Sequence, residues 1–332
     1  MSRNRLVSII TPTYARERFI HDCIQSVLNQ TVSEWEMIIL DDGSPDETEK
    51  VVRGFADDRI RYLRQEHVGP FRMAETYNRC LDVATGEFVA ILEDDDLWPA
   101  DKLANQLAFL DERPEVTMVY GRAQLVTEEG LSLGFNNLPT VPTARWNSIS
   151  TADLLLRRAS ILPVTAIIRR SALLEIGGFR SFPDFPAVDY PTWLALSEVG
   201  PFAFRNRLSG YWRQHRGQET QKNPINVAAR AVALAYYDSL PDERRVHLGI
   251  SRRQIEHIHN RFVADAYWSA ALQHCSRGQW TEARNRLRQV HAVGNVFRRL
   301  EATVALPLTY LHVDVAALLR LVTGSKTEGD HA

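Results

Sequence analysis

Cysteine is scarce in this 332-residue chain: Cys23, Cys80 and Cys275 are odd in number and far apart. They exclude a disulfide scaffold and a CxxC zinc site, and a reducing compartment is the simpler setting. Long apolar runs are missing as well, and none approaches the roughly 18 residues that mark a spanning helix. The nearest candidate, Val304 to Val322, is interrupted by Pro307, His312, Asp314 and Arg320. It can lie on a membrane surface but should not cross one. Met1 to Arg5 lead directly into a strand-like run with no signal-peptide core. The expected location is cytoplasmic, with peripheral membrane contact left open. No GxxxxGK[ST] and no GxGxxG follows the first strand, so the P-loop and dinucleotide-binding routes to phosphate are unsupported. A large excess of one charge is also lacking, with a formal net charge of −2 and a pI near 6.6. That argues against a nucleic-acid binder working by bulk electrostatics.

The neutrality is a sum of opposites. Residues 1–121 hold 13 Lys and Arg against 23 Asp and Glu, a net of −10. Residues 122–332 hold 26 against 18, a net of +8. Along the acidic part, short apolar runs alternate with amphipathic ones. Strands are expected at Leu6–Ile10, Trp35–Leu40, Arg59–Leu63, Phe88–Leu92 and Thr117–Tyr120. Helices are expected at 17–30, 46–55, 72–84 and 99–110. Such alternation means crossover connections and a mostly parallel sheet covered on both faces. Beyond Gly121 we expect a hairpin and an irregular loop over 122–150, a strand at Pro163–Arg169 and a helix at Tyr190–Val199. From about residue 226 the pattern is almost wholly helical. One helix-turn-helix unit around Ala270 to Ala283 resembles the tetratricopeptide kind. Three regions follow: 1–121, 122–225 and a helical appendage, 226–332.

In open α/β sheets ligands gather at the carboxyl ends of the strands. Strand one ends in Thr11-Pro12-Thr13-Tyr14, strand two in Asp41-Asp42-Gly43-Ser44, and strand four in Glu93-Asp94-Asp95-Asp96. The second cluster also suits an ordinary turn and helix cap. The third is harder to dismiss, because four adjacent carboxylates after a buried strand repel one another unless a cation balances them. Carboxylate oxygens suit hard ions that also bind phosphate, Mg²⁺ or Mn²⁺.

These segments, with Cys23-Ile-Gln-Ser-Val-Leu-Asn-Gln-Thr31 and the Ala84-Thr-Gly86 that leads into strand four, resemble the family 2 inverting glycosyltransferases. The resemblance is close over about 120 residues and looser to about residue 220. It implies a GT-A fold, a Rossmann-like α/β sheet flanked by helices. It also implies a metal-dependent, inverting transfer of one sugar from a nucleotide-diphosphate sugar, with UDP as the default, to an acceptor hydroxyl. The Gln-x-x-Arg-Trp motif of processive synthases is absent, so single addition fits better.

Carried over position by position, the resemblance assigns Thr11, Pro12, Tyr14, Asp42, Arg72 and Asp94 to the nucleotide. Asp95 and Asp96, with His215, would hold a divalent metal (Mn²⁺ or Mg²⁺), and Arg213 would meet the diphosphate through an Arg-x-His loop, Tyr211-Trp-Arg-Gln-His215. Gly177-Gly178-Phe179 followed by Asp189-Tyr-Pro-Thr-Trp193 is similar to the acceptor-side motif, which makes Asp189 the candidate base. Asp189 standing alone would suit a helix cap, since Pro191 follows, but the flanking Gly-Gly-Phe and Trp193 favour catalysis. Trp98 and Trp193 read as packing residues near the site or as platforms for a sugar ring. Ala15-Arg16 and Val188 depart from the family pattern. The partners implied are a nucleotide-sugar donor and an acceptor that is a glycan, a lipid-linked intermediate, a small molecule or a protein. A degenerate, binding-only transferase and a nucleotidyltransferase are the alternatives.

Overall fold

The computed structural model describes residues 6–135, 149–215, 217–218 and 225–323. The chain forms two compact units, one of residues 1–223 with 239–249 and the other of 224–238 with 250–332. The helical region expected from residue 226 is therefore divided, because 239–249 returns to the first unit.

In the first unit the strands are β1 (Val7–Thr13), β2 (Trp35–Asp41), β3 (Ile60–Arg64), β4 (Phe88–Ile91), β5 (Met118–Val126), β6 (Ser132–Phe135), β7 (Ile167–Arg169) and β8 (Phe202–Arg213). The sheet runs in the order β3-β2-β1-β4-β7-β5-β6, with β8 paired to β5. The first four strands are mutually parallel. β7 then runs antiparallel to both β4 and β5. Strand order turns at β1, between β2 and β4, and this is where parallel sheets open a ligand crevice.

Register fixes what meets there. Thr13 lies opposite Asp41 and Ile10 opposite Ile91. Asp42 N–H donates to the Thr13 carbonyl (2.8 Å), and Leu92 N–H to that of Ile10 (3.1 Å). The residues just past β1, β2 and β4 are thus neighbours by backbone pairing alone.

The helices are α1 (Ile20–Leu28), α2 (Thr48–Arg53), α3 (Met73–Val83), α4 (Lys102–Glu112), α5 (Thr151–Leu155), α6 (Arg170–Glu175) and α7 (Asp189–Leu196). After them come α8 (Ile225–Ser239), α9 (Asp242–Leu248), α10 (Arg252–Ser276), α11 (Trp280–Val293), α12 (Val296–Tyr310) and α13 (Val315–Thr323). Ile20, Cys23, Ile24 and Val27 repeat at helical spacing on α1 and pack on Val7, Ile9, Met37 and Ile39 in one buried cluster. Of the first unit's late helices, α9 is tied down by Arg244, which grips Glu198 with two hydrogen bonds (2.6 and 3.1 Å). In the second unit α10, α11, α12 and α13 share a core around Trp268, Ala271, Leu287, Ala302 and Ala305. The expected helix-turn-helix is present as α10 and α11, joined through Gly278 at φ +69°.

Three expectations change. The segment from Pro163 begins as a 3₁₀ turn, Pro163–Thr165, and only Ile167–Arg169 is strand. Proline has no N–H for a ladder and its fixed φ starts the turn instead. β5 does not stop at Tyr120 but crosses Gly121. A Cβ at Gly121 would stand 2.0 Å from Ser209 Oγ, so the glycine there admits a close strand neighbour rather than ending the strand. That neighbour, β8, was not expected. Its exposed Arg205-Asn206-Arg207 stretch hides the alternation, and its pairing with β5 shifts register around Arg122.

Gly86, just before β4, sits against β1, where an added Cβ would come within 2.6 Å of the Leu6 carbonyl oxygen and 2.7 Å of Ser8 N. Its own N–H donates to Ser8 Oγ (2.8 Å). Gly86→Ala should therefore push β4 off β1 and cost about 1–3 kcal/mol. Urea unfolding checks this, and an unchanged midpoint would refute it.

Candidate functional site

Two adjacent aspartates end β2, and their surroundings separate them. Asp41 is wholly buried and points back into the protein. Its Oδ1 accepts from Ser44 N–H (2.6 Å), and its Oδ2 accepts from Tyr62 OH (2.5 Å) and Arg64 Nη1 (3.2 Å). It holds the turn. Gly43, at φ +78°, reverses the chain where a Cβ would crowd His67 N and the Gln65 carbonyl.

Asp42 points to the other side of that turn. Its carboxylate accepts from Gln65 Nε2 (2.6 Å), Val68 N–H (2.9 Å) and Gly69 N–H (3.0 Å). His67 Nδ1 lies 2.9 Å from Asp42 Oδ2, and the His67 ring stacks on Tyr14 with centroids 4.0 Å apart. So the residues after β3 close around the Tyr14–Asp42 corner. Sequence reasoning missed His67 and Gln65, since neither lies at a strand end it had marked. Thr11 is fully buried with an unpartnered hydroxyl, while Pro12 is half-buried and Tyr14 exposed. Arg72 is exposed and paired with Glu75 through two short bonds (2.7 and 2.6 Å).

The acidic run after β4 forms the floor. Tyr14 N–H donates to Asp94 Oδ2 (3.3 Å), and Arg16 Nε lies 3.3 Å from Asp94 Oδ1. Arg16, marked in the sequence only as a departure from the pattern, is the cation that faces this cluster. Asp95 Oδ2 is 2.8 Å from His215 Nε2. Because Gly217 N–H donates to His215 Nδ1 (3.1 Å), the ring proton sits on Nε2 and is given to Asp95. Asp96 is wholly buried, its Oδ1 accepting from Arg213 N–H (2.9 Å) and its Oδ2 having no partner.

Too many carboxylates for too few cations shows in their proton affinities. Burial, then the charges of Asp95, Asp189 and Asp94, pushes Glu93 up to about 8. Burial lifts Asp94 to about 7 against the pull of Arg16. Burial with Asp95 and Glu93 raises Asp96 well above the carboxylate range.

The Arg213 guanidinium turns away from this floor. It donates to the Glu128 carbonyl (2.7 Å) and to Asp22 Oδ2 (3.2 Å), and lies over the Phe19 ring. Arg213 and His215 belong to the end of β8 and its exit, so the expected loop is in part a strand.

Asp189 is the first residue of α7, and Val188 occupies the cap position. Burial raises Asp189, opposed by the amides of Tyr190 and Asp189 and by the charge of Arg157. Arg157 holds φ +50°, a left-handed conformation rare outside glycine, and burial pulls its guanidinium down. No sequence signal marks that residue. The charge of Asp189 contributes to the rise of Glu93. Trp98 and Trp193 are buried and donate to the Val164 (2.8 Å) and Ile161 (3.2 Å) carbonyls. They pack the walls.

A divalent ion can be tested against these donors. Among the described residues no three His, Cys, Asp or Glu side chains are gathered into a cage. Mg²⁺-type ions are commonly held by one or two carboxylates plus substrate phosphates, so a cage is not required. An orphaned Asp96 Oδ2, one residue along from the Asp95 that pairs with His215, is a donor such an ion could use, with a ligand's oxygens completing it.

A Rossmann-like α/β sheet with acidic residues at its carboxyl edge matches the GT-A architecture. Similarity to solved structures agrees on the fold. Staphylococcus aureus TarS 1–349, crystallised with UDP-GlcNAc, matches at TM-score 0.58 and 16% identity, covering 97% of this chain and 93% of that one. The mannosyltransferase PcManGT of Pyrobaculum calidifontis, in complex with GDP-Man and Mn²⁺, matches at TM-score 0.56 and 20% identity, covering 96% and 88%. Residues 8–177 match the family model "Glycosyl transferase family 2". An Escherichia coli relative, the UDP-Glc:alpha-D-GlcNAc-diphosphoundecaprenol beta-1,3-glucosyltransferase WfgD, is 32% identical over 191 residues, covering 58% of this chain and 69% of its own. TuaG of Bacillus subtilis, a putative teichuronic acid biosynthesis glycosyltransferase, is 34% identical over 203 residues, covering 60% and 75%. The chain belongs to glycosyltransferase family 2 and is a glycosyltransferase.

The turn that aims Asp42 depends on Asp41. Asp41→Ala should remove three hydrogen bonds to a buried carboxylate and cost about 3 kcal/mol. Chemical denaturation measures it, and a loss below about 1 kcal/mol would show that Ser44, Tyr62 and Arg64 hold the turn without it.

Proposed function

We propose that the protein is a metal-dependent, inverting transferase that adds one sugar from a UDP-sugar to a hydroxyl of a lipid-diphosphate-linked glycan. The observation that carries the metal reading is the wholly buried Asp96 with one unpartnered oxygen, the residue that follows the Asp95 paired with His215. A buried, unpaired carboxylate is costly unless a cation meets it. The donor and acceptor readings draw on the relatives, two of which are named for UDP-Glc and a diphosphoundecaprenol acceptor.

In this reading residues 1–121 hold the nucleotide, residues 122–225 form the acceptor side and 226–332, apart from 239–249, are an appendage. Thr11, Pro12, Tyr14, Asp42 and Asp94 receive base and ribose, with Arg72 at the rim. Asp95, Asp96 and His215 would hold Mn²⁺ or Mg²⁺, which supplies Lewis-acid stabilisation of the diphosphate leaving group. For His215 to take part, its Nε2 proton must leave the Asp95 contact. Arg213 adds positive charge behind the floor, and its guanidinium reaches the diphosphate only on release from Asp22, a half-exposed partner.

Asp189 accepts the proton of the acceptor hydroxyl as the new bond forms at the anomeric carbon, on the face opposite the departing UDP. Its burial raises its proton affinity, which suits a base. Arg157 and the α7 amides oppose that rise. Inversion follows from that single displacement.

Asp189→Asn should lower turnover on acceptor by about a hundredfold or more while leaving UDP-induced thermal stabilisation intact. Transfer that persists at the original rate would remove Asp189 from the base role. In the parent protein the UDP-induced shift should need Mn²⁺ or Mg²⁺ and vanish with EDTA. A shift indifferent to both would remove the metal.

A further inference from the structure

The second unit carries an apolar surface that its own fold does not use. Helix α12 packs inward through Ala302, Ala305 and Thr309, all buried. The opposite face is apolar too. Val296 is 70% exposed, Phe297 78%, Leu300 59%, Val304 68% and Leu311, one residue past the helix, 73%. Pro307, also exposed, lies among them. At 3.6 residues per turn these six positions fall within an arc of about 100°. An isolated exposed leucine would mean nothing, but a continuous stripe marks an interaction surface.

Charge tells what partner fits. Arg299 lies on α12 itself, and Arg284 and Arg288 of α11 reach its far end, one over the Tyr310 ring and the other donating to Tyr310 OH (3.0 Å). Their hydrogen bonds go to neutral groups: the Gly294, Ala292 and Thr309 carbonyls, Thr281, Asn285 and Tyr310. No ion pair to any of the three appears among the described residues. By contrast, Arg298 is paired with Asp265 and Glu301. An apolar stripe edged by arginines without acidic partners, with a phenylalanine and a tyrosine at its two ends, has the make-up of a helix lying in a lipid–water interface. With 15 residues α12 is about 22 Å long, and no helix of the described residues is long and apolar enough to span a membrane. It can lie in the plane only.

We infer that the outer face of α12 is a membrane-docking surface that inserts Phe297, Leu300, Val304 and Leu311 among the acyl chains of an anionic bilayer while Arg284, Arg288 and Arg299 meet its headgroups. The inference rests on the lipid-linked acceptor only for its biological sense, since it would hold the enzyme where such an acceptor resides.

The test is flotation of the full chain with phosphatidylglycerol/phosphatidylethanolamine vesicles and with neutral phosphatidylcholine vesicles. The parent protein should float with the anionic vesicles. F297S/L300S should lose at least about tenfold of the bound fraction, and R284Q/R288Q/R299Q should abolish the preference for anionic lipid. Phe297, Leu300, Arg288 and Arg299 are exposed and Arg284 is half-buried, so circular dichroism and the UDP-induced thermal shift of both variants are compared with the parent's and should match. Equal flotation of parent and F297S/L300S, or none by the parent, overturns the inference. So does a parent that is dimeric by light scattering and becomes monomeric in F297S/L300S, because a second copy would then cover the stripe. Failure of the donor or metal reading would appear in the UDP shift and leave flotation untouched.

Discussion

Glu93, Asp94, Asp95 and Asp96 follow a strand with no exposed residue, and much of the first unit is arranged around that unfavourable placement. Taking carboxylates out of water costs several kcal/mol each unless they are neutralised or paired. The protein answers only in part. Arg16 faces Asp94, His215 lends a proton to Asp95, and Arg213 offers Asp96 a backbone N–H. What is left over, one orphaned oxygen and raised proton affinities at Glu93, Asp94 and Asp96, is a site short of positive charge. A cation arriving with an anionic diphosphate would relieve both at once. In the proposed reading, binding and stability would then be linked at one place in the fold.

The sheet explains why this cluster is not elsewhere. Parallel pairing of β1 with β2 and β4 ends all three strands at one edge. Glycines then permit what the pairing demands. Gly43 reverses the chain after Asp42, and Gly86 lets β4 lie close on β1. The Asp41 contacts to Ser44, Tyr62 and Arg64 fix the turn, so that its neighbour Asp42 faces Tyr14 and the residues after β3. Two adjacent aspartates differ only in which way each points, Asp41 into the turn and Asp42 toward the residues after β3.

The two opposite halves of the charge also find separate places. Acidic residues concentrate at the carboxyl edge of the sheet. The basic excess is spread over the later elements, including the arginines beside α12. The membrane-facing reading of that helix depends on its being amphipathic twice over, with small residues inward and large ones outward. That arrangement gives a short helix a core to belong to and a surface to offer.

Alternating strand and helix patterns, the polar clusters at three strand ends and the family motifs are local features, which is why the sequence alone determined the α/β class, the family and the acidic floor. Boundaries moved by a few residues, as with α1 and α4, because caps and first turns carry weak signals. β8 escaped because its pairing with β5 runs across more than 80 residues and its exposed Arg205-Asn206-Arg207 breaks the alternation. His67, Arg16 and Arg157 reach the site only through folding, from positions that no spacing rule connects. Only the tertiary structure decided which oxygen of Asp96 lacks a partner, that the Arg213 guanidinium faces Asp22, and that one side of α12 stays uncovered. Those are matters of orientation and burial, set by long-range packing, and a linear pattern does not encode them.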